Sequence, residues 1–146
     1  MKNLLLFVMV CMLVLAGCAP KVEEPAAAVL KVSNGTIEKT YTDADLKALG
    51  AVQASFKGVT YIGVTLTVLL KDAGFDPATL TAVKAVAKDG FTVNYDSGLY
   101  SREDTIVAYA RVDGLLSEAE APFSMVLPNE AGKLNPRQLT DIMAIP

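Results

Sequence analysis

Cys18 is the last cysteine of this 146-residue chain, and an unbroken apolar run ends just before it. Lys2 supplies a positive start, residues 4–15 are apolar throughout, and the small residues Ala16 and Gly17 lead into Cys18. That order is a secretory signal with a small-residue cleavage site, too short and too one-sided to be a mature spanning helix. The consequence for folding is direct. What remains, residues 18–146, is expected to fold outside the cytoplasm with a single cysteine at its start, so no internal disulfide can brace it. Its hydrophobic core must carry the fold alone, and the remaining length is enough for one domain. The mean hydropathy of +0.38 is raised by the signal and does not describe the remainder.

The run Leu15, Ala16, Gly17, Cys18 also resembles a bacterial lipoprotein box. The resemblance implies that the Cys18 sulfur receives a diacylglyceryl group, that residues 1–17 are removed as a lipoprotein signal, and that the new amine is acylated. One acyl chain gives marginal membrane binding, whereas two or three hold stably. Residues 18–28, with Pro20, Pro25, two glutamates and a closing run of three alanines, read as a short lipid-anchored linker. Residues 29–146 are the folded domain. The expected location is therefore extracytoplasmic, with the lipid bilayer as a partner through acylated Cys18; an ordinary secretory signal or an uncleaved anchor is the plainer alternative.

The formal net charge is −3, and Lys2 is the one charge lost with the signal. No block of Lys or Arg stands out, so nucleic acid is not an expected partner. The chain has no histidine. Histidine-based nucleophile systems cannot be built here, nor can histidine-ligated zinc, copper or haem sites. Any general acid or base is left to Asp, Glu, Lys or Tyr.

Local patterns predict an α+β fold, a mostly antiparallel or mixed β framework with short helices. Asn34-Gly35 between two β-prone runs predicts a hairpin with a type I′ turn. Thr42 followed by Asp45 is close to a capping box, opening a helix that runs to about Leu49 and stops at Gly50. Asp43 and Asp45 are better explained by that cap than as paired catalytic carboxylates. Residues 52–56 alternate as a half-buried strand, Lys57-Gly58 turns the chain, and residues 59–62 return. Residues 66–73 form a second short helix ending at Gly74. Strands are predicted at residues 82–87 and 91–95, joined through Lys88, Asp89 and Gly90. Residues 105–112 and 123–127 are the most apolar strands and are expected to be central. Asp89-Gly90 and Asp113-Gly114 read as turns before sites. Residues 128–136 are a polar loop, and residues 137–145 a mixed apolar segment.

Several segments resemble, in order, the molybdopterin-binding domain of the sulfite oxidase family. Residues 41–49 (YTDADLKAL) are similar to its first helix opening, and residues 61–74 (YIGVTLTVLLKDAG) to its aromatic, Gly-Val, Leu-x-x-Leu-Leu, Ala-Gly signature. Residues 88–91 (KDGF) match its Asp-Gly-aromatic turn, residues 105–116 (TIVAYARVDGLL) its Ala-Tyr segment, and residues 122–128 (PFSMVLP) its late proline strand. The resemblance implies that family's fold and makes molybdopterin a cofactor to consider. It also exposes departures. Molybdenum enzymes of the family hold the metal through a cysteine between the two helices. Here residues 51–63 contain none, and Ser55, Thr60 and Tyr61 offer no soft substitute. Ser124 stands where an arginine is usual, and an insertion that helps wrap the pterin is missing between Phe56 and Tyr61. No cofactor is therefore expected on the residues themselves, and fold alone does not confer function.

By the same resemblance, Arg137 and Lys133 fall near basic residues that face the pterin phosphate; two solvated loop cations are the plain alternative. From the residues alone, Tyr95, Tyr100 and Arg102 gather around Gly98, where an arginine between two tyrosines has the makings of a clamp for an anionic or planar ligand. The expectation is a membrane-anchored lipoprotein whose domain is a non-catalytic module, binding a small anionic ligand or an envelope protein. The competing readings are a molybdopterin-dependent oxidoreductase without the usual cysteine, and a structural envelope lipoprotein.

Overall fold

The computed structural model describes residues 27–146. The signal, Cys18 and most of the linker lie outside the described residues. Two five-stranded sheets make the framework. Strands β1 (Leu30–Ser33) and β2 (Glu38–Tyr41) form a hairpin, and α1 (Asp43–Leu49) follows at once. Strand β3 (Val52–Phe56) turns back into β4 (Val59–Thr65), which runs into α2 (Leu66–Asp72). After a 3₁₀ turn at Pro77–Thr79 come β5 (Ala82–Ala87), β6 (Thr92–Tyr95) and the short helix α3 (Ser97–Tyr100). The chain closes with β7 (Ile106–Arg111), β8 (Gly114–Leu115), β9 (Ser124–Val126), a 3₁₀ turn at Gly132–Leu134, and β10 (Leu139–Ile145). The first sheet runs β2-β1-β10-β5-β6, and the second β3-β4-β7-β8 with β9 also on β7. All pairings are antiparallel except β1 with β10. The α+β expectation holds.

Local chemistry explains most of these boundaries. Thr42 and Asp45 form the full capping box: the Asp45 amide donates to the Thr42 hydroxyl, and the Thr42 amide to the Asp45 carboxylate at 2.8 Å. The carboxylate of Asp45 consequently sits below its ordinary range, chiefly through the Thr42 amide bond. The apolar stripe of α2 places Leu66, Leu69 and Leu70 fully inside, packed with Leu30, Val32, Val83, Phe123 and Ile142 between helices and sheets.

Four expectations need correction. The Asn34-Gly35 hairpin exists, but its turn is not type I′, because Asn34 does not adopt positive φ. Its side-chain oxygen instead accepts the amides of Thr36 and Ile37, which lengthens the loop. The two-residue turn with both residues left-handed is Lys57-Gly58, at φ 50 and 80, between paired Phe56 and Val59. Residues 95–104 are not simply a loop, since Asp96 caps α3 by accepting the Leu99 amide.

The segment 137–145 contains β10, the central strand of the first sheet; a bulge between Leu139 and Asp141 breaks its alternation and hides it from a periodicity reading. Finally, β9 pairs with β7 alone and is not a central strand. It is buried because its other side is covered by the approach to β10: the Met125 amide donates to the Pro136 carbonyl at 2.9 Å, and the Leu139 amide to the Phe123 carbonyl at 2.8 Å. Those bonds stitch the two sheets together.

Candidate functional site

Three cations without a carboxylate partner among the described residues lie near where the sheets are stitched. Lys57 stands at the β3–β4 tip, with its ammonium 5.4 Å from the centre of the Phe56 ring. A Cβ on Gly132 would meet that ammonium at 3.4 Å and the tip of the Phe56 ring at 4.0 Å, so the 3₁₀ turn carrying Lys133 lies against both. Phe56 and Arg137 in turn line one small cleft with Tyr61, Ser124 and Asn135. Lys57, Lys133 and Arg137 are exposed. None of the three has a carboxylate partner among the described residues, whereas Lys31, Lys39, Lys47, Arg102 and Arg111 all do. Lys57 on the Phe56 ring, Arg137 on the same cleft and Lys133 on the turn packed against Lys57 make an anion-attracting face on a chain that is acidic overall.

The floor of the cleft is a closed polar hub. Glu120 is 6% exposed. One of its oxygens accepts the Tyr61 hydroxyl at 2.7 Å. The other accepts the Arg111 guanidinium at 2.6 and 3.0 Å, and the Ser117 hydroxyl and amide at 2.6 and 3.0 Å. Burial pushes the Glu120 carboxyl up, but the Ser117 hydroxyl, Tyr61, the Ser117 amide and Arg111 outweigh it and hold it at about 2. Burial and the Glu120 bond push the Tyr61 phenol above its ordinary value. A carboxylate this committed is neither an acid nor a base near neutral pH, and the tyrosine proton is spoken for. The hub is built to hold strands and loop together.

The fold is sulfite-oxidase-like. No protein-family model matches the chain, and no curated protein matches its sequence. Among solved structures, the sulfane dehydrogenase SoxCD from Paracoccus pantotrophus is similar at a TM-score of 0.67 and 17% identity. The match covers 81% of this chain and 38% of that one, so this chain spans well under half of its neighbour's length. The likeness is one of fold.

The residues present do not fit a thiolate-held metal. The stretch between α1 and α2 is β3, a two-residue turn and β4, with no thiol in it. The Ser55 hydroxyl is bonded to that of Thr60 at 2.9 Å. Among the described residues no group of three acidic or cysteine side chains converges as metal ligands would. The cleft beside Arg137 has about 30 Å³ of free space, the scale of a water molecule and far below a pterin. Ser124 donates to the Glu120 carbonyl at 2.9 Å, so the position where the resemblance expects an arginine is a buried hydroxyl.

The other expected contacts are used internally. Tyr100 is 1% exposed, with its hydroxyl facing the carbonyls of Pro77 and Leu80 at 2.9 and 2.8 Å. Tyr95 is buried, its hydroxyl donating to the Leu134 carbonyl at 2.8 Å. Arg102 is divided between Asp104, Glu130 and the Pro128 carbonyl, each within 2.9 Å. The clamp of one arginine between two tyrosines is not formed, because both rings are needed in the core. Tyr100 does border a groove of about 580 Å³ beside Thr67, Lys71, Asp76 and Glu103, but that groove is shallow and its charges are mixed. Of the four predicted contacts, the fold turns Lys133 and Arg137 outward on the cation-lined face and directs Tyr100 and Arg102 inward. Lys57 and Phe56 were missed as site residues; the Lys-Gly turn signal alone could have placed Lys57 at an exposed tip.

Proposed function

We propose that this chain is an extracytoplasmic lipoprotein, tethered through acylated Cys18, whose sulfite-oxidase-like domain is a non-catalytic module that binds an anionic ligand or partner. The observation that carries the reading is the set of unpaired cations, Lys57, Lys133 and Arg137, on the face beside Phe56, above a hub with no free acid or base. The Cys18 box supports the anchor. Among the described residues no helix is long and apolar enough to cross a membrane.

Two measurements test it. Cys18→Ser is expected to abolish lipid labelling and release the protein from the membrane fraction; unchanged association and processing would sink the anchor. Inorganic phosphate or a polyanion should raise the melting temperature, since a ligand that binds the native state stabilises it. The Lys133→Ala/Arg137→Ala variant should weaken that binding by about tenfold or more. A second reading, a molybdopterin-dependent oxidoreductase with an unusual ligand set, draws on the fold likeness to a dehydrogenase and is tested by metal content.

A further inference from the structure

The register of the first sheet shows where the tether meets the domain. Strands β1 and β10 are parallel, with Lys31 beside Asp141, and β10 is antiparallel to β5, with Leu139 beside Ala87. Val29, the start of β10 and the β5–β6 tip therefore share one end of the sheet. The Lys88 amide donates to the Gln138 carbonyl at 2.9 Å, which fixes that tip against Arg137. Two apolar side chains stand out at this end, Val29 at 49% and Phe91 at 47% exposure. Lys88 and Arg137 flank them, both exposed and without a carboxylate partner among the described residues. Arg137 connects this end to Lys57 and Lys133 through the cleft it shares with Phe56. Acidic residues share this end: Asp89 accepts the Phe91 amide, Glu118 contributes a carbonyl to Gln138, and Asp43 and Asp45 open α1 just after Tyr41, which pairs with Leu30; Asp43 is paired with Lys47 and Asp45 is held by the Thr42 cap.

We infer that the anion met by this cation cluster is the phosphodiester headgroup of the bilayer holding Cys18, and that the Val29–Phe91 end of the sheet faces the membrane. The inference rests on the lipoprotein reading. Eleven residues from Cys18 to Val29 span at most about 40 Å when fully extended, so the domain stays near the surface and can reach it. The processed chain, at net charge −4 once Lys2 is lost from the −3 of the full sequence, is repelled by an anionic surface unless it turns a cationic face toward it. Lys57, Lys88, Lys133 and Arg137 supply that face at the end where the tether attaches, and half-exposed Phe91 and Val29 supply apolar contact at headgroup depth.

The chain has no tryptophan, which makes the test clean. Phe91→Trp and Ile37→Trp place one reporter at each end of the same sheet, at positions of similar exposure, 47% and 51%. The acylated full chain is reconstituted into vesicles of phosphatidylglycerol and phosphatidylcholine with brominated acyl chains, and its acylation is read by intact mass on the same sample. Phe91→Trp should be quenched strongly and Ile37→Trp weakly. Lys88→Gln and Arg137→Gln should each lower the docked-to-undocked ratio by about fivefold, as should dilution of the anionic lipid. Equal quenching at the two ends, or quenching indifferent to lipid charge, overturns the proposal. An acylated chain with an unquenched Phe91→Trp overturns the membrane face alone and leaves the cluster to a free anion or an envelope protein. An unacylated Cys18 overturns the anchor, and the face with it.

Discussion

Glu120→Ala is expected to destabilise the domain by about 3 kcal/mol, because it leaves the buried Tyr61 hydroxyl and the Ser117 hydroxyl and amide without their acceptor and removes the ion pair of partly exposed Arg111. Domains of this size have a total stability of about 5–15 kcal/mol, so the variant should be largely unfolded at elevated temperature. The hub also carries the chain from β8 to β9: the amides of Glu120 and Ala121 donate to the Ser117 carbonyl, and the Gln138 amide to the Glu120 carbonyl. Loss of the side chain therefore loosens the seam between the sheets. The sign of the pH effect follows from the depressed pKa. Glu120 is held at about 2 against a reference of 4.5, so its contribution is complete above pH 4.5 and is lost as pH falls toward 2. The amount at stake is roughly 3 kcal/mol. Denaturant unfolding of wild type and Glu120→Gln should show a wide gap at pH 7 that closes toward pH 2. Parallel curves at both pH values would mean that the charge is not what holds the hub.

Gly63→Ala should cost about 3 kcal/mol or prevent accumulation of the protein. Gly63 faces Ala108 across the β4–β7 ladder, beside the bulge that follows Ile62. A Cβ there would lie 2.2 Å from the Val107 carbonyl oxygen and 2.8 Å from the Ala108 Cα. Both are backbone atoms of the strand that joins β4, β8 and β9, so relief requires the sheet itself to open. Gly74→Ala is the matched contrast. Gly74 has φ +91 and no atom within 4 Å of its would-be Cβ, so alanine there costs backbone strain alone, about 1 kcal/mol. Urea midpoints should rank wild type, Gly74→Ala and Gly63→Ala in that order; equal midpoints for the two variants would contradict the close approach of β4 and β7.

Legibility in the sequence tracked the range of the interactions involved. Thr42 and Asp45 announced their cap because both partners sit within one turn, and Leu66, Leu69 and Leu70 announced α2 by spacing. Lys57-Gly58 was readable as a turn, but Asn34-Gly35 misled as to type, since a side-chain oxygen competing for local amides is invisible in a dipeptide propensity. β10 was obscured by its bulge, and β9 was misplaced because its outer edge is covered by Pro136 and the start of β10, which carry no strand pattern that would show it. The site followed the same rule. Arg137 and Lys133 were named through resemblance, yet their neighbour Lys57 comes from a hairpin far away in sequence, and the Tyr61–Glu120 bond links residues 59 apart. The apparent clamp at Tyr95, Tyr100 and Arg102 failed because a count of aromatic and charged residues in a segment does not say which of them the core will claim.

We propose that this sulfite-oxidase-like domain holds no molybdenum, because residues 51–63 offer no thiolate. Elemental and pterin analysis of the protein purified from its native host tests that most directly. The account predicts neither molybdenum nor tungsten nor pterin in stoichiometric amount. A full equivalent of metal together with pterin would contradict it and identify an oxidoreductase with a ligand set that contains no cysteine from this domain.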